Sequence, residues 1–154
     1  MSPLGIGIST GIFSRKARAY LKAVIKKMGI KEVDAIILIN VKENPGIIQE
    51  RIGQNLTLDN AMVARRLKQL EADELIKRMI DQANQRTKKV YIEPTGEEYV
   101  NRIIREMSYW DSMVVKGLSD QEKQTLASSL AFLKNRAEEI NINDVLTARE
   151  ANED

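Results

Sequence analysis

The 154-residue chain contains no cysteine and no histidine. Without cysteine it has no disulfide and no thiol chemistry. Without histidine it lacks the commonest transition-metal ligand and the usual general base, so a nucleophile paired with a histidine is excluded. Long apolar runs are missing too, and nothing approaches the roughly 20 residues that a membrane-spanning helix needs. The start, MSPLGIGISTGIFSRK, has no basic segment ahead of its apolar part, which is not the order of a secretory signal. These features lead us to expect a soluble cytoplasmic protein. Enzyme chemistry finds little support elsewhere. The carboxylate pairs Glu97-Glu98 and Glu138-Glu139 are adjacent in sequence, so on a helix they point about 100° apart and do not converge. The stretch GIGISTG lacks the following lysine and the preceding strand of a phosphate loop. No catalytic residue, metal site or cofactor is expected.

What is present is charge, unevenly placed. Lys and Arg number 24 against 22 Asp and Glu, a net charge of +2. Every charge from Arg15 to Lys31 is basic: Arg15, Lys16, Arg18, Lys22, Lys26, Lys27 and Lys31. A second basic region runs from Arg65 to Lys89, and the stretch from Ser119 onward leans acidic. A polyanion partner and ordinary solvated helix faces both give this pattern. The length fits a single-domain subunit over 1–154.

Hydrophobic spacing places a helix from Ile8 to Met28, stopped by Gly29. The run from Lys31 to Asn44 fits a buried strand or a buried helix, and helical neighbours favour the helix. Asn44-Pro45-Gly46 breaks it. Ile47 to Gly53 is expected as one short helix, and 55–59 as a turn. Asp59 then caps a helix from Asn60 to about Asp73 with Val63, Leu67 and Leu70 inward. Leu75 to Asp81 and Lys88 to Glu93 have strand character and are joined by a polar turn tipped by Arg86. Thr95-Gly-Glu-Glu98 and Ser119-Asp-Gln-Glu122 both fit a capping box, each opening a long helix, with Gly117 as the break between them. The polar tail from Asn141 is expected to fray.

The segment LDNAMVARRLKQLEADELIKR (58–78), then Asp81, Arg86 and the I-E-P-T-G run to Gly96, resembles the MarR family of bacterial winged-helix transcription regulators. PGIIQERI (45–52) and LSDQE (118–122) extend the likeness over nearly the whole chain. The resemblance implies a mainly α fold with a small β-hairpin wing. The winged helix-turn-helix would occupy 31–94, flanked by N- and C-terminal dimerisation helices at 5–30 and 95–145. It also implies a homodimer that binds a near-palindromic operator in double-stranded DNA, as a ligand-responsive repressor. A winged-helix protein-interaction module without an operator is the alternative. Thiol-based peroxide sensing and zinc sensing are disfavoured by the missing Cys and His. Three features depart from the family pattern. Glu74 stands where glycine is usual, so either a non-glycine residue takes a positive φ or the chain turns differently. Asn84 stands where the family often has an acid near the wing arginine. Ile92-Glu93 stands in place of the usual Leu-Thr before the long helix, where Thr95 can still cap.

A helix in the major groove reads base edges from its exposed side. On the helix from Asn60 that side carries Asn60, Ala61, Met62, Arg65, Arg66 and Gln69. A guanidinium donates twice to guanine, which makes Arg65 the strongest base-reading candidate. Asn60 and Gln69 suit adenine or phosphate, and Ala61 and Met62 suit a thymine methyl. In the wing, Arg86 suits a narrow minor groove, with Lys88 and Lys89 on phosphates. Ile6, Ile8, Ile12 and Phe13, with Leu126, Leu130, Leu133 and Ile140, form apolar stripes wider than one subunit buries, and the resemblance assigns them to dimerisation. It likewise implies a cleft for a small aromatic effector, for which Tyr20, Met107, Tyr109, Trp110 and Met113 are candidates; residues of these types at helical spacing also build cores.

Overall fold

The computed structural model describes residues 5–82 and 84–150, with only the backbone described for Arg86 and Glu150. The described residues form seven helices and a three-stranded antiparallel sheet. The chain divides between Asp111 and Ser112 into two compact units.

The first unit opens with α1 (Gly5–Lys27) and α2 (Glu32–Glu43), separated by Gly29 at φ +72°. The apolar run at 33–41 is therefore a helix, with Ala35, Ile37, Leu38 and Val41 buried. After Gly46 the chain differs from expectation. Ile47–Ile48 is a short strand, β1, and α3 covers only Gln49–Leu56. The two isoleucines pair with Val90 and Lys89, far along the chain, and no local propensity announces such a partner. Thr57, at φ 53°, ends α3, and α4 (Asn60–Ala72) follows. The expected cap is present, with the Met62 amide donating to Asp59 Oδ1 at 2.7 Å. Gly53 lets these helices approach closely, since a Cβ there would lie 2.9 Å from Asn60 Oδ1.

β2 (Ile76–Asp81) and β3 (Asn84–Ile92) form the hairpin, and the sheet order is β1-β3-β2. Asp81 pairs with Asn84, so the chain reverses ahead of Arg86, which lies within β3 rather than at the tip. The register slips between Ile80 and Asp81, where β3 carries extra residues that no alternation in the sequence marks. Ile37, Leu38, Ile52, Val63, Leu67, Leu70, Ile76, Val90 and Val100 make one buried cluster, so every element of the winged helix contributes to a single core.

α5 (Pro94–Val114) starts with proline at its first position, where the ring sets φ and no amide is needed. The expected Thr95 capping box is therefore absent; Thr95 already lies inside the helix. Gly96 is required here because a Cβ would come within 2.1 Å of the Leu75 carbonyl oxygen. In the second unit, α6 (Asp120–Glu139) carries the complete Ser119–Glu122 capping box. Its hydrogen bonds to Ser119 hold the Glu122 carboxyl below the ordinary glutamate range. The tail at 142–150 forms α7 (Ile142–Glu150) instead of fraying, with Ile142, Val145 and Leu146 at helical spacing but exposed.

Glu74 resolves the first departure from the family pattern. It sits at φ 57°, and the chain makes the glycine-type ending regardless. The Leu75 amide donates to the Leu70 carbonyl at 2.9 Å and the Glu74 amide to that of Glu71 at 3.1 Å, the paired bonds of a Schellman motif. A left-handed non-glycine residue costs on the order of 1 kcal/mol. Glu74→Gly is expected to raise stability by about 1 kcal/mol in urea titrations; an unchanged or lowered midpoint would show that the strain is relieved elsewhere.

Candidate nucleic-acid interface

The site is built on α4. Val63, Leu67 and Leu70 bury one side completely, which fixes what the other side presents. Asn60, Ala61, Arg65 and Gln69 are exposed, and Met62 is half-buried beneath its capped amide. Arg65 makes no ion pair among the described residues. Gln69 is turned toward the C-terminal end, donating to Asp73 Oδ1 at 2.9 Å.

Arg66 behaves differently from its neighbours. Its Nε donates to Asp34 Oδ1 at 2.6 Å and its Nη2 to Asp34 Oδ2, a fork-on-carboxylate pair. The Asp34 residue is only 5% exposed. The hydrogen bond to Asp34 raises the already high Arg66 pKa, so the guanidinium stays charged. The structure thus turns Arg66 inward to α2, away from the face that carries Arg65. One acid within an apolar run, and a second arginine beside the first, were the traces of this pair in the sequence.

The wing supplies the opposite wall. Opposed residues share a face of the hairpin, so Ile76, Arg78, Ile80, Lys88, Val90 and Ile92 lie together. From that face Arg78, Lys88 and Val90, together with Thr87, Ile48, Gln49, Glu50, Asn60 and Leu67, line a groove of about 410 Å³. Asn60 and Lys88 therefore meet in one concavity. Lys89 lies on the other face, 3.1 Å from Asp81. The Arg86 side chain lies outside the described residues. Arg78, not anticipated as part of the site, sits in the groove and pairs with Glu71 of α4 through Nε at 2.9 Å and through Nη2. Its strand position, in phase with buried Ile76, was the available signal. The Glu71 carboxyl is held below the ordinary glutamate range by the Arg78 hydrogen bond first, with Lys88 adding attraction.

The five effector candidates have different surroundings among the described residues. Tyr20 stacks on Trp110 with centroids 5.2 Å apart and donates to Glu106 Oε2 at 2.8 Å. Trp110 Nε1 is buried without a hydrogen-bond partner among the described residues. Met107 packs against Ile25, Ala35 and Ile103, whereas Tyr109 and Met113 are exposed.

A capped helix locked by its apolar side, led by a short helix and flanked by a basic hairpin, defines a winged helix-turn-helix protein. The MarR family model matches residues 31–88. An uncharacterized HTH-type transcriptional regulator of Bacillus subtilis (strain 168), YybA, is 25% identical over 128 residues, covering 83% of this chain and 85% of its own. The transcriptional regulator SlyA has a solved structure with TM-score 0.67 and 29% identity, over 87% of this chain and 94% of that one. A putative MarR family regulator from Listeria monocytogenes, solved in complex with a 26mer DNA, gives TM-score 0.68 and 26% identity over 94% of each chain. Residues 31–88 thus match the MarR family, and over most of its length the chain resembles winged-helix transcriptional regulators of that family.

Removing one member of a buried ion pair leaves the other charge uncompensated. Asp34→Asn is expected to lower stability by about 3 kcal/mol in urea titration, while Asp34→Leu with Arg66→Met together recovers most of that loss. For Glu71 the folded pKa lies below the unfolded value of about 4.3. Its contribution is therefore present above that value and is lost as pH falls through the depressed one. The difference in Tm between wild type and Glu71→Gln should be constant from pH 7 to 6 and shrink below about pH 4.3.

Proposed function

We propose that the protein is a cytoplasmic homodimeric repressor that recognises a near-palindromic operator in double-stranded DNA. The observation that carries this reading is the division of α4 into a fully buried side and a polar side headed by unpaired Arg65, beside the groove holding Asn60, Arg78 and Lys88. Arg65 reads guanine through two N–H donors, Asn60, Ala61 and Met62 sample neighbouring base edges, and Lys88 neutralises phosphate. Gln69 and Lys89 take part by leaving Asp73 and Asp81 respectively. Arg86 contacts the minor groove. Arg66 acts behind the interface, by holding α4.

Two copies are needed to read two half-sites. Support comes from the apolar residues left exposed, Ile8, Ile12 and Phe13 on α1 and Leu126, Leu130 and Leu133 on α6. A small aromatic effector would bind beside the Tyr20–Trp110 stack, where the unpartnered Trp110 Nε1 offers a donor.

The test is selection of genomic fragments at two salt concentrations. A half-site motif at fixed spacing is expected. Arg65→Ala should cost about 1–3 kcal/mol of discrimination at one base pair, with non-specific affinity nearly intact. Weak, sequence-indifferent binding unaffected by Arg65→Ala would instead identify a protein-interaction module.

A further inference from the structure

The basic run before residue 32 is not used by the α4 and wing interface. On α1, Arg15, Arg18, Lys22 and Lys26 follow one another at intervals of 3, 4 and 4, so they form one stripe about 16 Å long. Lys16 and Lys27 flank it. The stripe runs alongside the side of the helix that carries Leu21, Val24 and Ile25, which face the core. All of these cations, and Lys31 just beyond, are exposed, and none makes an ion pair among the described residues. The winged helix is different, because Lys42, Arg66, Lys77, Arg78 and Lys89 each have a carboxylate partner. On α4 and the described wing side chains, Arg65, Lys68 and Lys88 remain without one. Uncompensated positive charge is thus concentrated on α1. At its end, a groove of about 570 Å³ joins Met28 to Thr95, Glu98, Tyr99, Asn101, Arg102 and Arg105 of α5, adding two arginines.

We propose that the outward face of α1 is a second contact surface for the phosphates of double-stranded DNA, separate from the base-reading face of α4. A duplex presents about one phosphate per 3.4 Å of each strand, so a 16 Å stripe spans several. An acidic segment of a second copy fits less well. All four acids of α6 are already engaged: Asp120 with Lys123, Glu122 in the cap, Glu138 with Lys134 and Glu139 with Arg136. An anionic membrane surface would need the apolar side of the same helix turns, and Val24 and Ile25 are buried in the core. The duplex in question is the one assigned under the proposed function, and the inference rests on that reading.

The experiment measures binding to an operator duplex and to a scrambled duplex between 50 and about 300 mM salt. Wild type is compared with a variant carrying R15Q, R18Q, K22Q and K26Q, with the oligomeric state followed by sedimentation. The expected result is a salt slope smaller by about 2 to 4 on both duplexes, at about 0.9 per lost phosphate contact, with the operator-to-scrambled ratio unchanged. A slope within 0.5 of wild type overturns the proposal, whether or not the variant changes its oligomeric state. Failure of the operator reading looks different: no preference between duplexes in wild type, with the α1-dependent slope still present.

Discussion

The Asp34–Arg66 pair determines how the reading helix is held. It joins the first turn of α2 to the middle of α4, and both charges are largely removed from water. Such a pair adds little net stability over an apolar isostere, but either partner alone is costly. Its consequence is rotational. With Arg66 drawn inward and Val63, Leu67 and Leu70 in the core, α4 has one orientation, which directs Arg65 outward. On the far side, Arg78 of β2 holds Glu71. The helix is thereby fixed to α2 and to the wing by two charged links.

Close backbone approach is the second constraint. Gly53 lets α3 meet the start of α4, and Gly96 lets α5 pass against the Leu75 carbonyl. Leu75 also closes the Schellman bond to Leu70 and accepts from the Glu93 amide at 3.0 Å. The end of α4, the root of the wing and the start of α5 thus share one short stretch of backbone.

Charge is divided in the same economical way. Arg66 and Arg78 position α4, whereas Arg65, Lys68 and Lys88 make no ion pair among the described residues. The cations of α1 likewise make no ion pair among the described residues. Phosphate contacts set affinity and salt dependence, whereas base contacts set the site.

Much of this was legible in the chain itself. The 3.6-residue spacing marked α1, α4, α5 and α6, Asp59 and Ser119 marked two caps, and alternation around Val90 marked the wing. The order of those elements carried the family resemblance. What remained hidden depended on distant partners. Ile47–Ile48 reads as helix until Val90 arrives beside it. The hairpin register placed Arg86 inside β3 and separated Lys88 from Lys89 across the sheet. Arg65 and Arg66 are adjacent and chemically equal in sequence, and only the carboxylate 32 residues earlier makes one structural and leaves the other free. Local periodicity is a property of neighbouring residues, so the sequence by itself determined the elements and their caps. Which charges are paired depends on segments brought together by the core, so only the tertiary structure decided it.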